Sequence, residues 1–243
     1  MLAFQAGVAG SIPATRTKYN TMSAKSASQF LYTVPQTPGD MSEAATTAIQ
    51  MGALASQLAS IERTRVSHKD GRAENDAEHS LMLAKVAPEL AHMLYPELDA
   101  NLVARFAALH DDVEAYVGDT PTDMLSNLDQ AGKDALEQAG LQQLLKDYAY
   151  LPSYTTLIKQ YEAQSVPEAR FVRAVDKLMV LVIHVPNAGA VLRAHYTQEA
   201  FQQYEQDLLE RDSYKYGEFD RIKDLRRELG KYLATTYLDS GLK

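Results

Sequence analysis

The chain has 243 residues, 46% hydrophobic and 23% charged, a length at which a globular fold buries about 70–75% of the unfolded surface. A net charge of −8 excludes the broad cationic field that an extended nucleic acid requires, and the absence of cysteine excludes disulfides, thiolate nucleophiles and cysteine-held zinc or iron–sulfur centres. No apolar run approaches the ~20 residues of a membrane span; the longest, Leu178 to Val185, is interrupted by His184. Any metal must therefore be held by His, Asp or Glu, and the chain is expected to be soluble and cytoplasmic.

Met1 to Gly39 contains no Asp or Glu and is rich in Ser, Thr, Ala and Gln. It has no periodic apolar face, so residues 1–41 are expected to form a disordered extension that contributes nothing to the core. An organelle transit peptide, or a true start at Met22 or Met41, is the alternative. From Ser42 to Lys243 the pattern is helix after helix, with turn clusters at Ser67–Gly71, Tyr95–Asp99, Gly118–Thr122, Leu151–Ser153 and Pro186–Gly189 and almost no strand-period alternation. Met51, Leu54, Leu58 and Ile61 mark a first amphipathic helix. Asn75 and Glu78 form a capping box that opens a second, carrying Leu83, Val86, Ala87 and Leu90, with a bend expected at Pro88. A third starts near Asp99 and runs through Leu102, Phe106, Leu109 and Val113. Ser165 and Glu168 suggest a further capping box ahead of Phe171, Val175, Leu178 and Val182, and polar helices over Gln198–Arg211 and Phe219–Leu238 close the chain. One all-α domain over residues 42–243 is the simplest partition.

Histidines and acids that interrupt apolar helix faces carry the strongest chemical signal. His79 stands in the first turn after the Asn75 cap. His110 and Asp111 end the apolar run Arg105-Phe106-Ala107-Ala108-Leu109, and Asp176 lies between Val175 and Leu178. Buried unpaired, each would be costly. One divalent cation would satisfy all four, and two imidazoles with two carboxylates suit Mn, Co, Fe, Ni, Zn or Mg. Glu114, three residues after Asp111 and four after His110, falls on the same helical face and is the candidate for proton transfer or for orienting water.

The order His, His-Asp, Asp resembles the signature of the HD-domain metal-dependent phosphohydrolases, an all-α superfamily. The flanking text narrows the resemblance. Arg72-Ala73-Glu74-Asn75-Asp76-Ala77-Glu78-His79-Ser80 is similar to the "R-x-E-x-x-x-E-H-S" lead of the branch that contains bacterial YfbR-type 5′-deoxynucleotidases and eukaryotic HD-domain relatives. Leu109-His110-Asp111-Asp112-Val113-Glu114 with Gly118-Asp119-Thr120-Pro121 matches its "HD-x-x-E … G-D-x-P", and Tyr161 to Ser165, Phe171-Val172 and Asp176-Lys177-Leu178 continue the match.

The resemblance implies an HD-domain helical bundle that acts as a homodimer on a small-molecule nucleotide. The implied reaction is removal of the 5′-phosphate of a (deoxy)nucleoside monophosphate by metal-activated water, with Asp119 and Thr120 at the sugar. A phosphate-facing Arg is implied at Arg63 or Arg65, although the Trp that follows it in the deoxynucleotidases is missing here. The same site acting on a nucleoside triphosphate or alarmone, and a non-catalytic nucleotide-binding HD module, are the alternatives. Arg72 and Glu74 match the lead but are expected to pin the loop before His79. His68, His92, His184 and His195 fall outside the pattern, so one metal ion is expected; His184 at a helix end is expected to favour the C-terminal dipole.

Overall fold

The computed structural model describes residues 30–68, 70–119 and 127–238. It is a helical bundle with one small antiparallel hairpin. Helix α1 (Glu43–Leu58) begins at Ser42, whose hydroxyl accepts the Ala45 N–H at 3.3 Å. The hairpin pairs β1 (Glu62–Ser67) with β2 (Ala73–Asn75), in register Glu62 to Asn75 and Ser67 to Ala73 with an irregularity between. Helices α2 (Asp76–Leu94), α3 (Ala100–Leu109) and α4 (Glu114–Val117) follow, then α5 (Asn127–Asp147), α6 (Pro152–Glu162), α7 (Pro167–Val182), α8 (Ala190–His195), α9 (Gln198–Arg211) and α10 (Asp220–Tyr237). No helix among the described residues is long and apolar enough to cross a membrane.

The core lies where α2, α3 and α7 meet, around the fully buried Leu83, Ala87, Phe106, Phe171, Val175 and Leu178. Helix α7 buries half of its residues, because α2, α3 and α10 all pack on it. An edge-to-face cluster of Tyr95, Phe171 and Phe219, with ring centroids 5.1 to 5.5 Å apart, joins α2, α7 and the start of α10.

Several boundaries depart from the sequence expectation for physical reasons. The turn at Ser67–Gly71 closes a hairpin, with Gly71 at φ +84° and its N–H bonded to the His68 carbonyl; Glu62–Ser67 is too short and too charged to announce a strand by alternation. Helix α3 stops at Leu109, where tight turns take over through Asp112 N–H to Leu109 O and Glu114 N–H to Asp111 O, and α4 restarts the helix. Helix α7 starts one residue later than a Ser165 cap requires. Pro167 occupies its first turn after Val166, which has no side-chain cap, and Glu168 instead accepts the Asp99 N–H at 3.2 Å, tying α7 to the start of α3. Helix α2 continues through Pro88.

The core also reaches into the segment assigned to the extension. Tyr32 and Val34 are buried, the Tyr32 hydroxyl donates to the Gln50 carbonyl at 3.3 Å, and the Gln50 amide donates to the Pro35 carbonyl at 3.0 Å. Leu31 N–H bonds to Tyr116 O at 2.9 Å. Residues 30–35 therefore pack with the bundle, and removal of residues 1–39 is expected to destabilise it. Tyr32→Ala is expected to destabilise the fold by about 2–4 kcal/mol, through lost packing against Tyr116 and an opened cavity; an unchanged urea midpoint would show the contact to be dispensable.

Candidate metal centre

Local structure fixes each donor before any ion is considered. The Asn75–Glu78 capping box forms as the sequence predicts: Asn75 Oδ1 accepts Glu78 N–H at 3.0 Å and Glu78 Oε2 accepts Asn75 N–H at 3.2 Å. Glu78 is further gripped by both Arg72 terminal nitrogens at 2.9 and 2.7 Å and by His68 Nε2 at 3.0 Å, so the hairpin loop is clamped to the first turn of α2. The Arg72 hydrogen bonds hold the Glu78 carboxyl well below its usual range, at about 2. The next residue is His79, 1% exposed and facing inward. His110 and Asp111 come from the C-terminal end of α3. Asp176 comes from the middle of α7.

These four meet. His79 Nε2 is 2.9 Å from Asp176 Oδ1, and atoms of His79, His110 and Asp111 all lie within 4.8 Å of one another. His110 Nδ1 faces the Ala107 carbonyl at 3.0 Å, which puts the ring proton there and leaves Nε2 as a lone-pair donor. That Nε2 is 2.9 Å from Asp111 Oδ2, yet is not aligned to hydrogen-bond with any protein atom. Glu74 stands 3.6 Å from His79 Nδ1 and is positioned to hold the ring. Lys177 Nζ takes the other Asp176 oxygen at 2.6 Å.

Around this cluster the carboxylates outnumber the cations. Arg63, on β1, reaches Asp111 Oδ2 at 3.0 Å, Asp76 Oδ1 at 3.3 Å and Glu74 Oε2 at 3.7 Å. A second acidic group, Asp76, Asp111 and Glu114, also places its oxygens within 4.8 Å. Burial and the Asp111 charge push the Asp76 carboxyl up to about 6, and burial with the Asp111 and Asp76 charges raises Glu114 well above its ordinary value. Asp111 moves the other way: burial opposes ionisation, but the positive charges around it, His79 and Arg63 among them, lower it. Burial likewise opposes the charged form of His79, but the hydrogen bonds to Asp176 and Glu74 raise it to about 9. Glu74 Oε1, Asp76 Oδ2 and Glu114 Oε2 are buried with no hydrogen-bond partner in the protein. Buried polar atoms are ordinarily satisfied, so a nitrogen and oxygen set with idle acceptors fits a divalent cation.

A model of the HD-domain family matches residues 55–214. The chain belongs to the HD-domain family. Among solved structures, this HD domain is similar to a predicted metal-dependent phosphohydrolase from Magnetospirillum magnetotacticum MS-1, 26% identical with a TM-score of 0.59, the match covering 83% of this chain and 98% of the other. It is also similar in fold to a conserved hypothetical protein from Pyrococcus furiosus, 24% identical with a TM-score of 0.50 over 75% of this chain and 99% of that one. No curated protein matches it.

The HD-domain cluster opens into a cavity of about 840 Å³ whose near end presents Arg63, Asp111, Glu114, Asp119, Tyr161 and Asp176. Arg63 is thus the arginine placed among the acids; the Arg65 side chain and Thr120 lie outside the described residues. Glu114 reaches the cluster from the first residue of α4, after a turn, and not along a continuous α3 as the spacing suggests. Asp112 points away and accepts the Tyr154 hydroxyl at 2.6 Å, so of the adjacent acids Asp111 alone faces the histidines. Asp76 and Lys177 escaped sequence reasoning, because an acid in the first turn of a helix and a Lys beside an Asp are both ordinary surface patterns. The sequence places Glu74 only in the loop before His79, and its approach to His79 Nδ1 depends on the fold.

His184 also departs from expectation. It sits past the end of α7, 8% exposed, and burial lowers its pKa to about 4, outweighing any helix dipole. A histidine whose folded value lies below the unfolded ~6.5 refuses a proton that the unfolded chain accepts, so stability is full above that value and is lost as pH falls towards 4. His184→Leu is expected to recover up to about 3 kcal/mol of that loss at pH 4, measured as the pH dependence of urea unfolding; equal slopes would place His184 in contact with solvent.

Proposed function

We propose that the chain is a metal-dependent phosphohydrolase that removes the 5′-phosphate of (deoxy)nucleoside monophosphates, of the branch that contains the YfbR-type 5′-deoxynucleotidases, and that it works as a homodimer. One observation carries this reading: His79, His110 and Asp111 converge beside Asp176, with idle buried acceptors around them, at the end of a cavity large enough for a mononucleotide. His79, His110, Asp111 and Asp176 would hold a single divalent ion, which supplies Lewis-acid polarisation of the phosphoryl group and a lowered water pKa.

The chain's own residues do the rest. Arg63 offers a planar guanidinium fork to the phosphate oxygens, a geometry that suits bidentate recognition. Glu114, with Oε2 free of protein partners, moves a proton at that atom. Asp119 accepts a hydrogen bond from a sugar hydroxyl, and Lys177 steadies Asp176. Phosphate release from NMPs, dNMPs and dNTPs is the test, run with each divalent metal and with a chelator. Metal-dependent release from monophosphates is the expected result; chelator-resistant release would overturn the metal role, and preference for triphosphates would overturn the substrate assignment.

A further inference from the structure

The cavity continues past the metal cluster into a second lobe to which nothing above gives a role. Asp176 and Val180 on α7, four residues apart and so on one face, and His184 in the turn just past its end all line this cavity. At 1.5 Å per residue, Val180 is about 6 Å and Leu181 about 7.5 Å along the axis from Asp176, the distance over which a ribose separates a phosphate from its base. Opposite this face, α8 and α9 supply Leu192, Tyr196 and Tyr204 to the same cavity. Tyr196 and Tyr204 lie with ring centroids 5.4 Å apart and planes tilted by 36°, and the buried Phe201 backs Tyr196 edge-on at 5.7 Å.

Besides the paired Glu205 and Arg226, the cavity wall here offers a ring nitrogen at His184. Asn187 donates to the Ser67 carbonyl at 2.8 Å, which fixes its amide, and its Nδ2 also faces His184 Nδ1 at 3.4 Å. An acceptor at Nδ1 leaves the His184 proton on Nε2. Burial keeps the ring neutral at physiological pH. A neutral N–H donor beside aromatic and aliphatic side chains suits a planar heteroaromatic ring with an acceptor on its edge.

The geometry points to the α7–α8–α9 lobe as the nucleobase site, with Tyr196 and Tyr204 as the stacking wall and His184 Nε2–H as a donor to the base edge. This deepens the reading above and rests on it. The site reads the base, whereas Arg63 and Asp119 take the phosphate and the sugar.

The test compares wild type with Tyr196→Ala, Tyr196→Phe and His184→Leu in the full chain. Substrates are the nucleoside monophosphates, ribose 5-phosphate and hexyl phosphate, and binding of the free nucleosides is followed by calorimetry. Loss of base stacking should lower kcat/KM for the nucleotides by about 10- to 100-fold in Tyr196→Ala. The loss should enter through KM, with nucleoside binding weakened in parallel, ribose 5-phosphate unaffected and Tyr196→Phe close to wild type. An equal loss on ribose 5-phosphate, or hexyl phosphate processed as well as the nucleotides, would overturn the base site. If wild type releases phosphate from ribose 5-phosphate but binds no nucleoside, the base site fails and the phosphohydrolase stands. If it releases phosphate from nothing yet binds nucleosides through Tyr196, the reaction fails and the base site stands.

Discussion

His110→Ala and Asp111→Ala are expected to purify without stoichiometric divalent metal and to lose turnover by more than the roughly 10- to 100-fold that removal of a mere outer partner costs, while keeping a helical circular-dichroism spectrum. The expectation follows from where their atoms sit. His110 is oriented by the Ala107 carbonyl at 3.0 Å, so its free Nε2 is aimed and not merely enclosed. Asp111 Oδ2 lies 2.9 Å from that nitrogen and 3.0 Å from Arg63, so two acceptors face each other at a distance that a cation would relieve and packing alone does not require. Asp112→Asn is the control, because Asp112 is turned towards Tyr154 and its replacement should leave metal content unchanged. Full metal occupancy by elemental analysis in both alanine variants would refute the ligand assignment.

The legible part of this molecule was the part in which side chains act on their own backbone or repeat along a face. The Asn75–Glu78 box needs four consecutive residues and forms as written, and Gln198–Arg211 is a helix over the residues its pattern marks. The four proposed ligands were legible because polar residues interrupt otherwise buried faces at three separate places, a conflict that one common partner resolves. What stayed hidden depends on tertiary neighbours. The β1–β2 hairpin is held by pairing and by the Glu78 clamp, neither of which has a period. The break after Leu109 turns Asp112 and Asp111 to opposite sides, which a continuous helix would also have separated, so the sequence placed the right acid in the site for an incomplete reason. Tyr32 and Val34 sit in an acid-free stretch whose composition signals disorder, yet the Tyr32 side chain alone reaches Gln50, Tyr116 and Tyr148.

Glu114 and Asp119 both follow the His-Asp pair, and the structure separates the effects expected from each. Glu114 opens α4 beside Asp76 and Asp111, with Oε2 buried and without a protein hydrogen-bond partner. Asp119 follows Gly118, whose φ of +80° turns the chain out of α4 and carries the carboxylate to the cavity wall. A Cβ on Gly118 would lie 3.2 Å from Leu31, so the 30–35 segment buttresses this turn. Glu114→Gln keeps the shape of the side chain and removes its capacity to exchange a proton. It should therefore lower kcat by about 10²–10⁴ and leave binding of a non-hydrolysable nucleotide largely intact. Asp119→Ala would remove the charged acceptor proposed for a sugar hydroxyl, at an expected cost of roughly 1.5–3 kcal/mol. That loss should appear mainly in KM, and more strongly for the substrate series that keeps the hydroxyl Asp119 contacts. Steady-state kinetics on matched ribo- and deoxynucleotides, with isotherms for a slow analogue, read the two effects apart. A Glu114→Gln enzyme with wild-type kcat would move Glu114 from proton transfer to holding Asp76 and Asp111 in place, and an Asp119→Ala enzyme that lost kcat alone would put Asp119 at the reacting phosphate.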